Sequence, residues 1–199
     1  MRREEFLARL RGRDGGRYLP LAEEPPALPD PESDLVGVFV DMADRAGCHV
    51  AQGSFAELRQ LLRQEVAGAS VLRGSEAEVL AVSEGLEAEA EPFAAAWGIA
   101  LADGALARTG SMCFVRRAQA PLTATLVPPR IAVLVPASCI VWDLADYLRQ
   151  PPEGGSIAIV SGPSRSADIE NDLSIGVHGP GEVLVLLWRD EGREDGRSG

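Results

Sequence analysis

The chain has 199 residues, with 30 Asp plus Glu against 19 basic residues that are all arginine, for a formal net charge of −11 and a pI near 4.7. Its 46% hydrophobic and 25% charged residues are the proportions of an ordinary globular protein, and a chain this long buries roughly 70% of its unfolded surface, enough for a core without disulfides or metals. The acidic balance argues against nucleic-acid binding and against an anionic membrane surface, and the missing lysine excludes a lysine Schiff base, a lysine-tethered cofactor and the phosphate loop ending in Gly-Lys-Ser/Thr.

In chain order, Phe6, Leu7 and Leu10 fall on one side of a short helix within Glu4–Arg11. Residues 12 to 33 read as a stiff connector, because Pro20, Pro25, Pro26, Pro29 and Pro31 remove donors and disfavour helix at the positions before them. Leu35, Phe39, Met42, Ala43 and Ala46 predict an amphipathic helix that Gly47 stops, with a short strand over His49–Ala51. Ser54-Phe55-Ala56-Glu57 is a capping box opening a helix to about Val66. A strand at Ala69–Arg73 precedes a second capping box, Ser75–Glu78, and the acidic stretch Glu84–Glu91 reads as a solvated helical face or loop.

Trp97–Ala100 and Ser111–Val115 are strand candidates around Ala102–Arg108, and Ile131–Val135 is a buried strand by its β-branched content. Trp142–Arg149 predicts a helix ended by Pro151-Pro152, Ser156–Val160 a strand, Ser166–Leu173 a short helix, and Val183–Trp188 a final strand. The charged, glycine-rich tail is expected to be disordered. Strands alternating with helices at this spacing predict an α/β fold with a largely parallel central sheet. The expected organisation is an N-terminal helix and Pro-rich linker over 1–33, one three-layer-like α/β domain over 34–189, and a tail over 190–199.

Cys48, Cys113 and Cys139 are scattered, and His49 and His178 are the only histidines, so the chain offers no metal-ligand set of its own. Cys113 and Cys139, in apolar runs, read as small core residues. The first residues lack the apolar run of a secretory signal and no run approaches a membrane span, so a cytoplasmic protein without membrane insertion is expected.

The chemistry concentrates in Ile157–Glu170, where an apolar strand runs into Ser161-Gly162-Pro163-Ser164-Arg165 and the expected helix. In an open α/β sheet ligands settle beyond the carboxyl ends of strands, and a helix N-terminus there presents free amides to an anion. Gly162 allows close backbone approach, Ser161, Ser164 and Ser166 supply hydroxyls, and Arg165 offers a bidentate fork for a small anionic ligand. The same residues admit a purely structural account, with Ser166 as a cap, Asp168 and Glu170 complementing the helix dipole, and Arg165 in a surface ion pair. Downstream, Gly176-Val177-His178-Gly179-Pro180-Gly181 forms a tight turn in which His178 is either a structural residue or an acid/base group. Thr109-Gly110-Ser111, after Arg108, is a third candidate, a small-residue turn feeding a strand.

The segment Ser161-Gly162-Pro163-Ser164-Arg165-Ser166-Ala167-Asp168-Ile169-Glu170, followed by Gly176-Val177-His178-Gly179-Pro180, resembles the C-terminal signature of the LutC/YkgG branch of the LUD domain family. Ala102-Asp103 through Thr109-Gly110-Ser111 and Pro128-Pro129 through Ile131-Ala132-Val133 extend the resemblance, which covers about Asp34 to Trp188. Two positions depart from it: Arg108 stands where the family has an acidic residue, and Arg130 where it tends to have histidine. Both changes favour an anion where the two side chains share a cleft.

The resemblance implies a fold similar to the NagB/RpiA/CoA-transferase group and to formyltetrahydrofolate cyclo-ligase. It also implies a role in oxidising L-lactate to pyruvate beside LutA-like and LutB-like iron–sulfur partners. On that reading Thr109, Gly110, Ser111, Ser161, Gly162, Pro163, Ser164, Arg165, Ser166, Asp168 and Gly179 form the ligand pocket, with His178 poising the hydroxyl proton. The cofactor is left open, since no Gly-x-Gly-x-x-Gly fingerprint occurs. Two alternatives stand beside it: a nucleotide- or acyl-CoA-binding enzyme of the cyclo-ligase type, and a non-catalytic assembly or regulatory subunit docking through its N-terminal helix.

Overall fold

The structure is a computed structural model that describes residues 34–117, 122–149, 156–167, 173–175 and 179–189. The expected N-terminal helix, the Pro-rich linker and the tail after residue 189 lie outside the described residues.

Asp34 opens α1 (Leu35–Arg45) by accepting the Val36 N–H, and Phe39 and Ala43 on its apolar stripe are buried. Gly47, at φ +92°, turns the chain into β1 (His49–Gly53). Ser54 and Glu57 make the reciprocal capping box of α2 (Phe55–Glu65) as the spacing predicts. After β2 (Val71–Arg73), helix α3 (Ala77–Val82) takes Glu76 as its N-cap, and that side chain makes no cap hydrogen bond. The acidic stretch that follows is a series of turns, with Ala88 bridged to Val71.

The remaining elements are β3 (Trp97–Leu101), β4 (Gly104–Leu106), β5 (Ser111–Val115), α4 (Thr123–Leu126), β6 (Arg130–Pro136), a 3-10 turn (Ala137–Cys139), β7 (Ile140–Val141), α5 (Leu144–Arg149), β8 (Ile157–Val160), β9 (Arg165–Ala167), β10 (Leu173–Ile175) and β11 (Glu182–Trp188). Asp143 Oδ1 caps α5 by accepting the N–H groups of Ala145 and Asp146, so this helix starts two residues later than Trp142.

The central sheet is parallel throughout, in the order β1-β11-β6-β3-β2. Its strands alternate strictly between two buried layers. Ile131, Val133, Val135, Val183, Val185 and Leu187 pack with Phe39, Ala43 and Cys48 on one face. Ala132, Leu134, Leu184 and Leu186 pack with Leu58, Leu62, Val79 and Val82 of α2 and α3 on the other. A second sheet, β7-β4-β5-β8, joins α1 on the first face; Ala105, Met112, Phe114 and Val160 are its contribution to that core.

Two expectations are corrected here. The strand Ile157–Val160 belongs to the second sheet, antiparallel to β5, and not to the parallel one. The segment expected to be helical from Ser166 instead begins as strand β9, paired antiparallel with β10. Ser166 and Ala167 pair through their backbones with Ser174 and Leu173, which a helix opening at Ser166 does not allow, and residues 168–172 lie outside the described residues. No helix N-terminus therefore stands at Ser166 to receive an anion.

Candidate functional site

All three candidate segments meet at the Ser161–Arg165 loop, the third through its described residues Gly179–Gly181. The Thr109-Gly110-Ser111 turn joins β4 to β5, while the Ser161–Arg165 loop leaves β8, the antiparallel neighbour of β5. Thr109 Oγ1 lies 2.7 Å from Ser111 Oγ, which lies 2.7 Å from Ser161 Oγ, so three hydroxyls form one chain. Ser111, at its centre, is buried with 2% exposure, whereas Thr109 and Ser161 open to solvent. Each hydroxyl carries one donor and two acceptor positions, so the outer members keep capacity for a ligand.

Two glycines bring these loops against α1. Gly110 has φ +63°, and a Cβ there would stand 2.2 Å from the Ala43 nitrogen; Gly162 has φ +80°, and a Cβ would stand 2.3 Å from the Ala46 carbonyl oxygen. Arg165 then reaches back over Gly47 and donates from Nη2 to that same Ala46 oxygen at 2.9 Å. One of its five N–H donors is used in this way, and the guanidinium is exposed. On the other side of the loop Ser164 N–H donates to Pro180 O at 2.7 Å, and Gly181 N–H donates to Pro129 O at 2.8 Å. Gly179 packs on Ser164, where a Cβ would lie 3.3 Å from that side chain's own Cβ. His178, the chain neighbour of Gly179, lies outside the described residues, as does Asp168.

The location differs from the one expected. Ala46 and Gly47 precede β1, Pro180 and Gly181 precede β11, and Pro129 precedes β6, so the loop sits at the amino ends of the three adjacent central strands. At the carboxyl ends of β1 and β11 there is an open cavity of about 450 Å³ lined by Gln52, Gly53, Ser54, Leu187 and Arg189. None of the candidate residues lines it, and the helix end beside it is already closed by the Glu57 carboxylate.

Cys48 belongs to the site although its sequence context marked only a helix stop at Gly47. It is buried, receives a backbone hydrogen bond from Gly162, and lies near the Arg165 guanidinium. Burial pushes its thiol up to about 11, outweighing the opposing pull of Arg165 and of the Gly162 amide.

Arg108 and Arg130 do not share a cleft. Arg108 forms an ion pair with Asp143 at 3.6 Å. Arg130 lies over the Trp97 ring, 4.9 Å from its centroid, on the face of the sheet covered by α2 and α3. Among the described residues no group of three or more His, Cys, Asp or Glu side chains could hold a metal ion, and no helix is long and apolar enough to cross a membrane.

This chain combines a parallel sheet carrying a second, mainly antiparallel sheet on one face with a Thr-Gly-Ser turn that meets a Ser-Gly-Pro-Ser-Arg loop. The chain belongs to the LUD domain family, whose domain matches residues 56–188. It is similar to Lactate utilization protein C of Anoxybacillus flavithermus, at 25% identity over 94% of this chain and 99% of the relative. The protein of the same name from Bacillus subtilis is 34% identical over 47% of this chain, a match covering 42% of that relative. The crystal structure of a DUF162 family protein from Deinococcus radiodurans has the same fold, with a TM-score of 0.60 at 18% identity over 77% of this chain and 96% of that one.

Proposed function

We propose that this chain acts in lactate utilization and that the amino-end loop cluster binds a small carboxylate, the anion of a 2-hydroxy or 2-oxo acid. The observation that carries this reading is the meeting of the Thr109–Ser111–Ser161 hydroxyl chain with the loop of Arg165. The relatives named lactate utilization protein C support the choice of anion. In a chain of net charge −11 the general field repels anions, so a carboxylate has to be held by local donors. The free N–H groups of Arg165 hold it in a bidentate pair, and the exposed Ser161 and Thr109 hydroxyls orient the neighbouring oxygen. His178, next to Gly179 in the chain, holds or accepts the hydroxyl proton. Oxidation of lactate to pyruvate releases two electrons and two protons, the hydroxyl proton and the Cα hydrogen; the LutA-like and LutB-like iron–sulfur partners in the cytoplasm would take the electrons, and Ser111 stiffens the hydroxyl chain from below.

The test is thermal denaturation with lactate, pyruvate, ATP, acyl-CoA and folates, beside Arg165→Ala. A ligand at 100 times its Kd stabilises by about 2.7 kcal/mol. A shift with lactate or pyruvate that Arg165→Ala abolishes is the expected result. A shift with ATP, acyl-CoA or a folate alone would replace this reading with the cyclo-ligase type. No shift with any of them in a folded protein would leave the chain as an assembly subunit.

A further inference from the structure

The β2 edge of the central sheet carries a surface that the site does not use. Between Arg73 and Arg108 the chain has no basic residue, while Glu76, Glu78, Glu84, Glu87, Glu89 and Glu91 fall within sixteen positions. Backbone pairing fixes where they lie: Val71 N–H donates to Glu87 O and Glu89 N–H to Val71 O, so 87–89 is the outermost rung of the sheet. The same stretch of chain carries two exposed apolar side chains, Leu80 on α3 at 43% exposure and Phe93 at 87%, the most exposed large hydrophobic side chain among the described residues. Glu84 is already paired with Arg59, and the exposed Phe93 together with the remaining carboxylates of this stretch suits a partner that is both apolar and cationic.

The chain contains such a segment. Residues 2–17 carry Arg2, Arg3, Arg9, Arg11, Arg13 and Arg17 against Glu4, Glu5 and Asp14, a net charge of +3 in a chain of −11, with Phe6, Leu7 and Leu10 at helical spacing. We infer that residues 2–17 dock in cis on the acidic rim around Phe93, apolar side against Leu80 and Phe93, arginines against Glu78, Glu87 and Glu91. The reach is sufficient. Residues 18–33 extend to roughly 50 Å, while the sheet from β1 to β2 is about 19 Å wide. Tethering supplies an effective concentration near the millimolar range, so a modest intrinsic affinity closes the contact. The proposal is independent of what the loop cluster binds.

The experiment uses the full chain with a photoreactive benzophenone amino acid in place of Leu10, irradiated in dilute buffer and in about 0.5 M salt, where screening shortens to a few ångströms. Cross-linked peptides are mapped by mass spectrometry, and single chains are separated from cross-linked pairs on a denaturing gel. Cross-links to residues 78–93 within one chain are expected, with yield falling roughly fivefold or more in high salt. The same fall is expected in a variant with Glu87→Gln, Glu91→Gln and Phe93→Ser, all exposed positions whose replacement leaves the core intact. Cross-links confined to another surface or to a second chain, or a yield unchanged in the variant, would overturn the inference.

Discussion

Ser111 Oγ and Ser161 Oγ lie 2.7 Å apart although fifty residues separate them, because β5 and β8 pair antiparallel and each continues into one of the two loops. Ser111 is buried and bonded on both sides, so its replacement removes two hydrogen bonds at once. Ser111→Ala should lower unfolding free energy in urea by about 1–3 kcal/mol, and Ser161→Ala, at an exposed position, by about 0.5–1 kcal/mol. In a double-mutant cycle the two effects should fail to add. Strict additivity would mean the hydroxyls are not coupled.

Gly162 and Gly68 share a positive φ, +80° and +75°, but a Cβ at Gly68 meets nothing within 4 Å, whereas one at Gly162 stands 2.3 Å from a backbone oxygen. Gly68→Ala should therefore cost only the conformational penalty, about 1 kcal/mol. Gly162→Ala should cost appreciably more and weaken carboxylate binding, since the backbone must move. Equal losses would show that the loop is not pressed against α1.

Cys48, Cys113, Cys139 and Tyr147 are each pushed up, the first two to about 11 and the others to about 12, with burial the leading cause. A raised folded-state value favours the protonated form, so this stabilisation is complete below the unfolded values. It is lost as pH rises through the folded ones. The melting temperature should hold to about pH 8.5, then fall steadily towards pH 12. Cys113→Ala should flatten part of that decline, which melting scans across the alkaline range would reveal.

The same displacement protects Cys48 from alkylation. A thiol at about 11 instead of 9.0 carries roughly a hundredfold less thiolate at pH 8. Iodoacetamide should modify it far more slowly in the native protein than in urea, as peptide mapping would show. Comparable rates would place the thiol in the open.

Arg130 stacks on Trp97, and the stack should contribute about 0.5–1 kcal/mol. Arg130→Ala should lower stability by that amount while leaving any carboxylate-induced thermal shift unchanged, because the guanidinium lies on the opposite face of the sheet from Arg165. A lost thermal shift would return Arg130 to the binding site.

Local patterns were sufficient for much of this protein. The heptad-like spacing from Leu35, the Ser54–Glu57 box and the β-branched run Ile131–Val135 each encode their element within a few residues, because capping and amphipathicity are local effects. The glycine-rich loops of the site were also legible, since Gly110 and Gly162 mark positions where backbone must come close to backbone. What needed the tertiary structure was long-range partnership. Ser156–Val160 reads as a strand in any sheet, and only its pairing with β5 places the site at the amino ends of the parallel strands. Ser166 reads as a cap until Leu173–Ile175 pairs with Arg165–Ala167 and satisfies that backbone as a hairpin. Cys48 and the Ala46 carbonyl carry no sequence signal at all, because their roles come from Gly162 and Arg165, more than a hundred residues away.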